Sequence, residues 1–283
     1  MKFVRLNFVL VSTLAICLLV SAAGVSTAAE ELSGQEILEK VDLQQEKIAR
    51  GDLISVLTFE NQPAGGNPSQ SRFLSLAKKK PDEPNYTLIY YLEPPKIEGS
   101  IFLTREEEDG QTEMWLYLSA LGQVKRLGIS SRQETFAGST LSRQEIGERN
   151  MSERYEAELL EEAELTIDGE SFPAFLLEVE AKDEDETRYP RGELWVGKDN
   201  WLVLKSEDYN EEGELERVLE VTELETFEGK TAMKRMVSEN LLEELTTTVI
   251  FERRERPEEE IPLTVFDPDN LGEFDPSEWG LEE

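Results

Sequence analysis

The stretch "YTLIYYLEPPKIEGSIFLTREEEDGQTEMWLYLS" (86–119) decides the fold class of the chain. Three runs within it, "YTLIYYLE", "GSIFLTR" and "EMWLYLS", are rich in aromatic and β-branched residues, as β-strands are. The segments "EPPK" and "EEEDG" between them carry turn residues. Strand-like runs continue on both sides, and the connections "IDGE", "GKDN" and "NEEG" are short enough for hairpins. The pattern predicts a mainly β protein with a few helices (α+β), folded as an incomplete antiparallel β-barrel or strongly curved sheet covered by helices.

Two segments interrupt the strand pattern and predict helices. "LSGQEILEKVDLQQEKIAR" (32–50) has Ser33 and Glu36 at the spacing of a capping box, and its apolar residues recur on one face. "LSRQEIGER" (141–149) repeats the capping-box spacing on a shorter scale. The first helix should lie on the sheet. The second could cover the mouth of the sheet as a lid or simply connect two hairpins, and the sequence favours neither.

The two ends of the chain have their own patterns. Residues 1–28 read as a signal peptide, with basic residues first, an apolar segment at 7–20 and small side chains before a cleavage site after Ala28. The alternative is an uncleaved N-terminal anchor. Residues 29–283 should then form a single open-barrel domain with an extended, partly mobile acidic C-terminal tail. An edge strand or strap is expected within that tail from Ile261, Leu263, Val265 and Phe266.

Charge and composition exclude several classes of function. With 29 basic and 61 acidic residues, the formal charge is -32, so long-range repulsion argues against a nucleic-acid partner. The chain has no histidine, and its one cysteine, Cys17, lies in the signal segment. Ser-His-Asp and Cys-His catalysis and His- or Cys-based zinc sites are therefore excluded. We expect no catalytic residue, no metal and no cofactor; a carboxylate-based enzyme stays a minor alternative.

The strand "EMWLYLS" carries more apolar residues than a half-buried strand needs. Every residue from Met114 to Leu118 is apolar or aromatic, so both faces of the strand are apolar. One interpretation is a sheet with packed layers on both sides. The other is that one face lines a cavity for an acyl chain, with a helix as its lid.

The segment "PPKIEGSIFLT…MWLYLSALGQVKRLGISSRQETFAGSTLSRQEI" resembles the LolA-like family of outer-membrane lipoprotein-sorting proteins, in the branch associated with lipid-exporting transporters. The resemblance is densest over about 95–150 and departs from the family at Ser119, where proline is usual, and at Ala137, where methionine is frequent. The matching positions are Gly99, Trp115, Leu116, Tyr117, Leu121, Gly122, Lys125, Arg126, Arg132, Phe136, Gly138, Ser139 and Ile146.

The resemblance implies an exported, non-catalytic carrier or chaperone of the periplasm or cell envelope, which binds acyl chains of a lipoprotein or lipid in an apolar cavity. An envelope sensor, or an accessory domain that docks on a membrane transporter, is the alternative. We expect a monomer.

Two sets of residues are candidates for the binding site. The expected lipid-binding residues are Phe102, Trp115, Leu116 and Tyr117 in the wall and Phe136, Leu141 and Ile146 in the lid. Contact with a partner or a lipid headgroup is assigned to Lys125, Arg126 and Arg132. The alternative for these three cations is local neutralisation of neighbouring acidic strands.

Overall fold

The computed structural model describes residues 32–80, 84–106, 111–147, 150–183 and 187–280. The predicted signal peptide lies outside the described residues. Within them, thirteen strands form one antiparallel sheet. The strands are β1 Gly51–Pro63, β2 Ser69–Lys79, β3 Tyr86–Glu93, β4 Ile101–Glu106, β5 Thr112–Leu118, β6 Gln123–Arg126, β7 Tyr155–Ile167, β8 Glu170–Ala181, β9 Arg191–Gly197, β10 Val203–Tyr209, β11 Leu215–Phe227, β12 Lys230–Asn240 and β13 Leu245–Glu255.

The order of the strands is that of two meanders joined in the middle. The sheet runs β6-β5-β4-β3-β2-β1-β13-β12-β11-β10-β9-β8-β7, so every pairing joins two strands that are consecutive in sequence except the pairing of β1 with β13. The two edges, β6 and β7, are not paired with each other, and the sheet stays open. This architecture confirms the predicted fold class.

The topology places the chain between β6 and β7 across one face of the sheet, because these consecutive strands lie at opposite edges. We call residues 127–147 of this connection the crossover segment. It contains the short helices α2 Ile129–Arg132 and α3 Arg143–Gly147, and α4 Met151–Arg154 follows before β7. We call the face that it covers the inner face and the opposite one the outer face.

Helix α1, Gly34–Ala49, covers the inner face at the β7 edge. The predicted capping box is present, since the Ser33 hydroxyl accepts from the backbone of Glu36 and the Glu36 carboxylate accepts from the backbone of Ser33. Ile37, Leu38 and Val41 are fully buried against β8 and β9. The local capping signal and the apolar stripe therefore predicted this helix correctly.

A C-terminal strap, residues 261–279, covers the outer face of β1 to β5. Ile261, Phe266 and Leu271 are buried there among the aliphatic residues of the first meander. Lys78 forms a buried ion pair with Asp52 at 3.1 Å and donates to the Ile261 carbonyl at 2.9 Å, which ties the start of the strap to the sheet. The predicted strap is confirmed, whereas the edge strand offered as its alternative does not form.

Short 3-10 helices build the strap, at Leu263–Phe266, Pro268–Glu273 and Pro276–Trp279. Its last part still packs, since the ring of Trp279 stacks on Phe274 with centroids 6.4 Å apart. Leu263, by contrast, is 54% exposed. The predicted mobility of the chain end stays a prediction for residues 281–283, which lie outside the described part.

Candidate ligand-binding cavity

A cavity of about 1220 Å³ lies between the inner face of the sheet, α1 and the crossover segment. Pockets for drug-sized ligands usually measure roughly 300–1,000 Å³. The cavity therefore has room for a ligand larger than a typical small molecule.

The wall of the cavity comes mainly from the middle strands of the sheet. Side chains alternate between the two faces of a strand, so Leu57 and Phe59 of β1 point inwards while Ile54 points outwards to the strap. Large apolar side chains on the wall are Leu57, Phe59, Phe73, Ile89, Leu219, Met236, Val249 and Phe251. These side chains suit hydrocarbon, while polar side chains such as Ser55, Ser75 and Thr87 border the cavity as well.

Phe136 anchors the crossover segment over this wall. Its ring lies 5.3 Å from that of Phe73, 5.6 Å from Phe102, and 5.7 Å from both Phe59 and Tyr91. The ring is fully enclosed, and its edge-to-face and tilted contacts are the geometries that aromatic pairs prefer. Phe136 therefore holds the segment against four strands at once.

The three residues assigned to the lid all border the cavity. Phe136, Leu141 and Ile146 line it from the crossover segment, on the side opposite the sheet. The helix predicted over 141–149 forms as Arg143–Gly147, with the Ser142 hydroxyl and the Glu145 carboxylate in the predicted capping contacts. Its position favours the lid over the plain connection.

The four residues assigned to the wall divide between the two faces. Phe102 and Leu116 belong to the inner apolar cluster beneath the crossover segment, although neither borders the cavity. Trp115 and Tyr117 lie on the outer face, packed under the strap, with the Tyr117 hydroxyl beside Gly272. The structure therefore places Trp115 and Tyr117 away from the cavity, because they have the opposite strand parity to Leu116.

The three predicted contact cations lie near one rim of the cavity. Arg126 and Arg132 border it, whereas Lys125 is exposed on β6 and does not. Arg126 forms an ion pair with Glu113 of the adjacent strand. Local neutralisation, the alternative reading, thus describes at least Arg126.

A buried charged cluster closes the other side of the cavity. The Arg217 guanidinium lies 2.8 Å from Asp208 and 2.6 Å from Glu145 on α3, and donates to the Thr140 carbonyl at 3.2 Å. It also stacks over the ring of Tyr189, 4.4 Å from its centroid. One cation on β11 thereby joins a carboxylate of β10 to two points of the crossover segment.

Two carboxylates share this one guanidinium, and they titrate differently. Burial raises the pKa of Asp208, and Arg217 and the Ser206 hydroxyl offset this only in part. Burial also opposes ionisation of Glu145, but Arg217 together with the backbone and hydroxyl of Ser142 holds its pKa below the usual range. The two carboxylates in turn raise the pKa of Arg217, against the effect of its burial. Asp208 is therefore the member of the cluster closest to protonation.

Neutral hydrogen bonds fix the crossover segment further along. The Thr140 backbone N–H donates to the Thr247 hydroxyl at 3.0 Å, and the Thr140 hydroxyl bonds Ser238 at 2.7 Å. The Asn61 amide donates to the Ala137 carbonyl at 3.1 Å. Together with Phe136 these contacts tie the segment to the centre of the sheet, so any opening towards the cavity must begin elsewhere or break them.

Sequence reasoning missed the charged cluster, although a signal was present. Arg217 occupies the same strand face as Leu219 and Val221, and Asp208 the same face as Leu204. Charged residues at inward positions of two adjacent strands indicate a buried ion pair. The third member, Glu145, lies too far away in sequence for that pattern to identify it.

Other kinds of site find no support in the part of the chain that the structure describes. It contains no group of three or more acidic, histidine or cysteine side chains that could hold a metal ion. None of the helices described is long and apolar enough to cross a membrane.

Solved structures share this fold. A DUF1329 family protein from Desulfovibrio piger has 24% sequence identity and a TM-score of 0.74, covering 84% of this chain and 97% of that one. An outer membrane lipoprotein-sorting protein domain from Vibrio parahaemolyticus has 21% identity and a TM-score of 0.74, with 84% and 98% covered. A LolA superfamily protein from Nitrosomonas europaea has 20% identity and a TM-score of 0.64, with 84% and 99% covered. At these identities the likeness establishes the fold alone.

The comparison of sequences gives a family but no curated relative. A family model whose description reads "Uncharacterized protein"-like matches residues 83–273, which is more than half of the chain. Among curated proteins none matches.

Proposed function

The chain belongs to the family whose model matches residues 83–273, and it shares its fold with an outer membrane lipoprotein-sorting protein domain and a LolA superfamily protein; we propose that it is an exported carrier of the cell envelope. It shelters acyl chains of a lipid or lipoprotein in the cavity and catalyses no reaction. The observation that carries this proposal is the cavity of about 1220 Å³, walled by the apolar inner face of the sheet and by the three lid residues.

The energetics of such binding favour long chains. Burial of an acyl chain stabilises the complex by about 0.8 kcal/mol per methylene, so roughly fifteen methylenes contribute about 12 kcal/mol. Association itself costs about 4–15 kcal/mol in lost freedom of motion. Short chains should therefore not bind measurably, whereas long chains should bind reversibly without any covalent step.

The experiment fills the cavity from the sheet side. Ala77 of β2 borders the cavity and is only partly buried, so a tryptophan there can project into the empty space. We expect Ala77→Trp to weaken binding of a fluorescent fatty acid that the unaltered protein binds, with the circular-dichroism spectrum unchanged. Ala64→Trp, in the exposed turn between β1 and β2, is the matched control and should bind normally.

A second candidate function rests on the edge strand β6. All four of its residues are exposed, and Leu121 and Val124 of the same hairpin are 63% and 43% exposed. An edge strand of this kind can add a strand from a partner protein, as an accessory domain docked on a transporter would. A protein whose ligand binding is the same before and after Ala77→Trp would favour this alternative over the carrier.

A further inference from the structure

Two serines interrupt the apolar floor of the cavity. Ser55 of β1 and Ser75 of β2 both border it, and the strand register places them directly opposite each other. Their neighbours along the inner face are apolar: Leu53 and Leu57 on β1, and Phe73 on β2. Opposed residues of an antiparallel pair have Cβ atoms about 4.5–5.5 Å apart, so the two hydroxyls form one small polar patch.

These hydroxyls are not used by the fold. Ser55 is 5% exposed and Ser75 is partly buried, yet in the ranges that the structure describes neither side chain makes a hydrogen bond. A buried hydroxyl without a partner costs about 1–3 kcal/mol, although water can satisfy it while the cavity is unfilled. A ligand that displaces this water must therefore supply a hydrogen-bond acceptor, or it leaves both hydroxyls unsatisfied.

The charge beside the patch is compensated. Opposite Ser55 on β13 stands Arg254, whose guanidinium pairs with Glu225 and donates to the Met233 carbonyl at 2.6 Å. Because that cation is already engaged, the patch suits a neutral acceptor better than a carboxylate.

We propose that Ser55 and Ser75 form a subsite for the ester carbonyl of an acyl-ester lipid, with the hydrocarbon of the acyl chain against the surrounding apolar wall. This inference rests on the proposed carrier function and adds the chemical class of the ligand to it. Both hydroxyls donate to the carbonyl oxygen of one ester group. A lipid with esterified chains is therefore selected over a plain hydrocarbon of equal length.

The test measures a ratio of affinities. Methyl palmitate, palmitate and a hydrocarbon of equal length each compete against a fluorescent apolar probe on the unaltered protein and on the Ser55→Ala, Ser75→Ala double variant. Two neutral hydrogen bonds account for about tenfold in affinity, so the preference for the ester should fall by about tenfold in the double variant. Hydrocarbon binding should be unchanged or tighter. The control is Ser71→Ala, at a buried serine of β2 that does not border the cavity, and it should keep the preference.

The outcomes separate this inference from the function on which it rests. If the unaltered protein binds both ligands and the double variant keeps the ester preference, the subsite is refuted and the carrier function stands. If neither ligand binds the unaltered protein, the carrier function fails and the subsite with it. If palmitate binds more tightly than its methyl ester, in a manner that depends on the two serines, the patch recognises a carboxylate and the assignment to a neutral ester is overturned.

Discussion

Replacing Arg217 by methionine tests how much the buried charged cluster contributes to the stability of the fold. The methionine keeps much of the length of the side chain but removes the guanidinium that joins Asp208, Glu145 and the Thr140 carbonyl. Asp208 is 8% exposed and the Glu145 side chain is 28% exposed, so solvent replaces the lost cation only in part.

The magnitude follows from the groups left behind. Breaking a buried charged cluster by removing one partner costs about 3–5 kcal/mol, because an uncompensated charge stays buried. Here two carboxylates remain, and a whole domain is stable by only about 5–15 kcal/mol. We therefore expect Arg217→Met to lower the free energy of unfolding by about 3–5 kcal/mol at neutral pH.

The pH dependence has a defined sign. Without Arg217, burial raises the pKa of Asp208 further and also raises that of Glu145. A carboxyl group whose pKa is raised in the folded state contributes stability that is fully present below its unfolded pKa and is lost as the pH rises through its folded pKa. In the unaltered protein the pKa of Glu145 is lowered, so its contribution is present at neutral pH and is lost as the pH falls. The loss of unfolding free energy caused by Arg217→Met should therefore be smaller at about pH 5 than at pH 7.

Urea unfolding at the two pH values provides the assay. Arg72→Met removes a cation from an ion pair with Glu252 in which the side chains are 39% and 34% exposed, and it should cost about 1 kcal/mol or less with little pH dependence. If Arg217→Met lowers the free energy of unfolding as little as Arg72→Met does, or by the same amount at both pH values, the reasoning about the buried cluster is refuted.

Two further predictions concern packing and ionisation. A Cβ at Gly34 would lie 2.5 Å from the Ala157 carbonyl oxygen, so Gly34→Ala should push α1 off β7 and cost about 1–3 kcal/mol in urea unfolding. Gly128→Ala meets nothing within 4 Å and should be close to neutral; equal costs would contradict the argument. Burial raises the pKa of Tyr91, so the stability that its neutral hydroxyl contributes to the fold is present below the ordinary tyrosine pKa of about 10 and is lost at higher pH. Between about pH 8 and pH 11 the melting temperature of Tyr91→Phe should therefore fall less than that of the unaltered protein. An equal fall in both proteins would contradict this prediction.

The features that the sequence predicts are those encoded locally. Strands and hairpins follow from residue type and turn chemistry, and both capping boxes depend on residues three positions apart. The fold class follows from them. The pairing of β1 with β13 joins the two ends of the described domain, and no local pattern specifies it.

The face of each strand was the main obstacle to locating the site. In a strand with one apolar face, alternation shows which side is buried, but "MWLYL" is apolar at each position because both layers need it. Trp115 and Tyr117 therefore could not be separated from Leu116 until the strap was seen on the outer face. The position of the residues assigned to the lid was easier to predict, since the capping box fixed the start of the helix that carries Ile146 and that follows Leu141, and both residues border the cavity.

The central claim is that the cavity holds acyl chains, and native mass spectrometry tests it most directly. The protein is purified from a bacterial expression host without detergent or solvent and compared with Ala77→Trp prepared in the same way. We expect a bound mass that solvent extraction releases as an acyl lipid, and a smaller bound fraction in the variant. Apoprotein alone in both samples, after incubation with acyl lipids as well, would contradict the account.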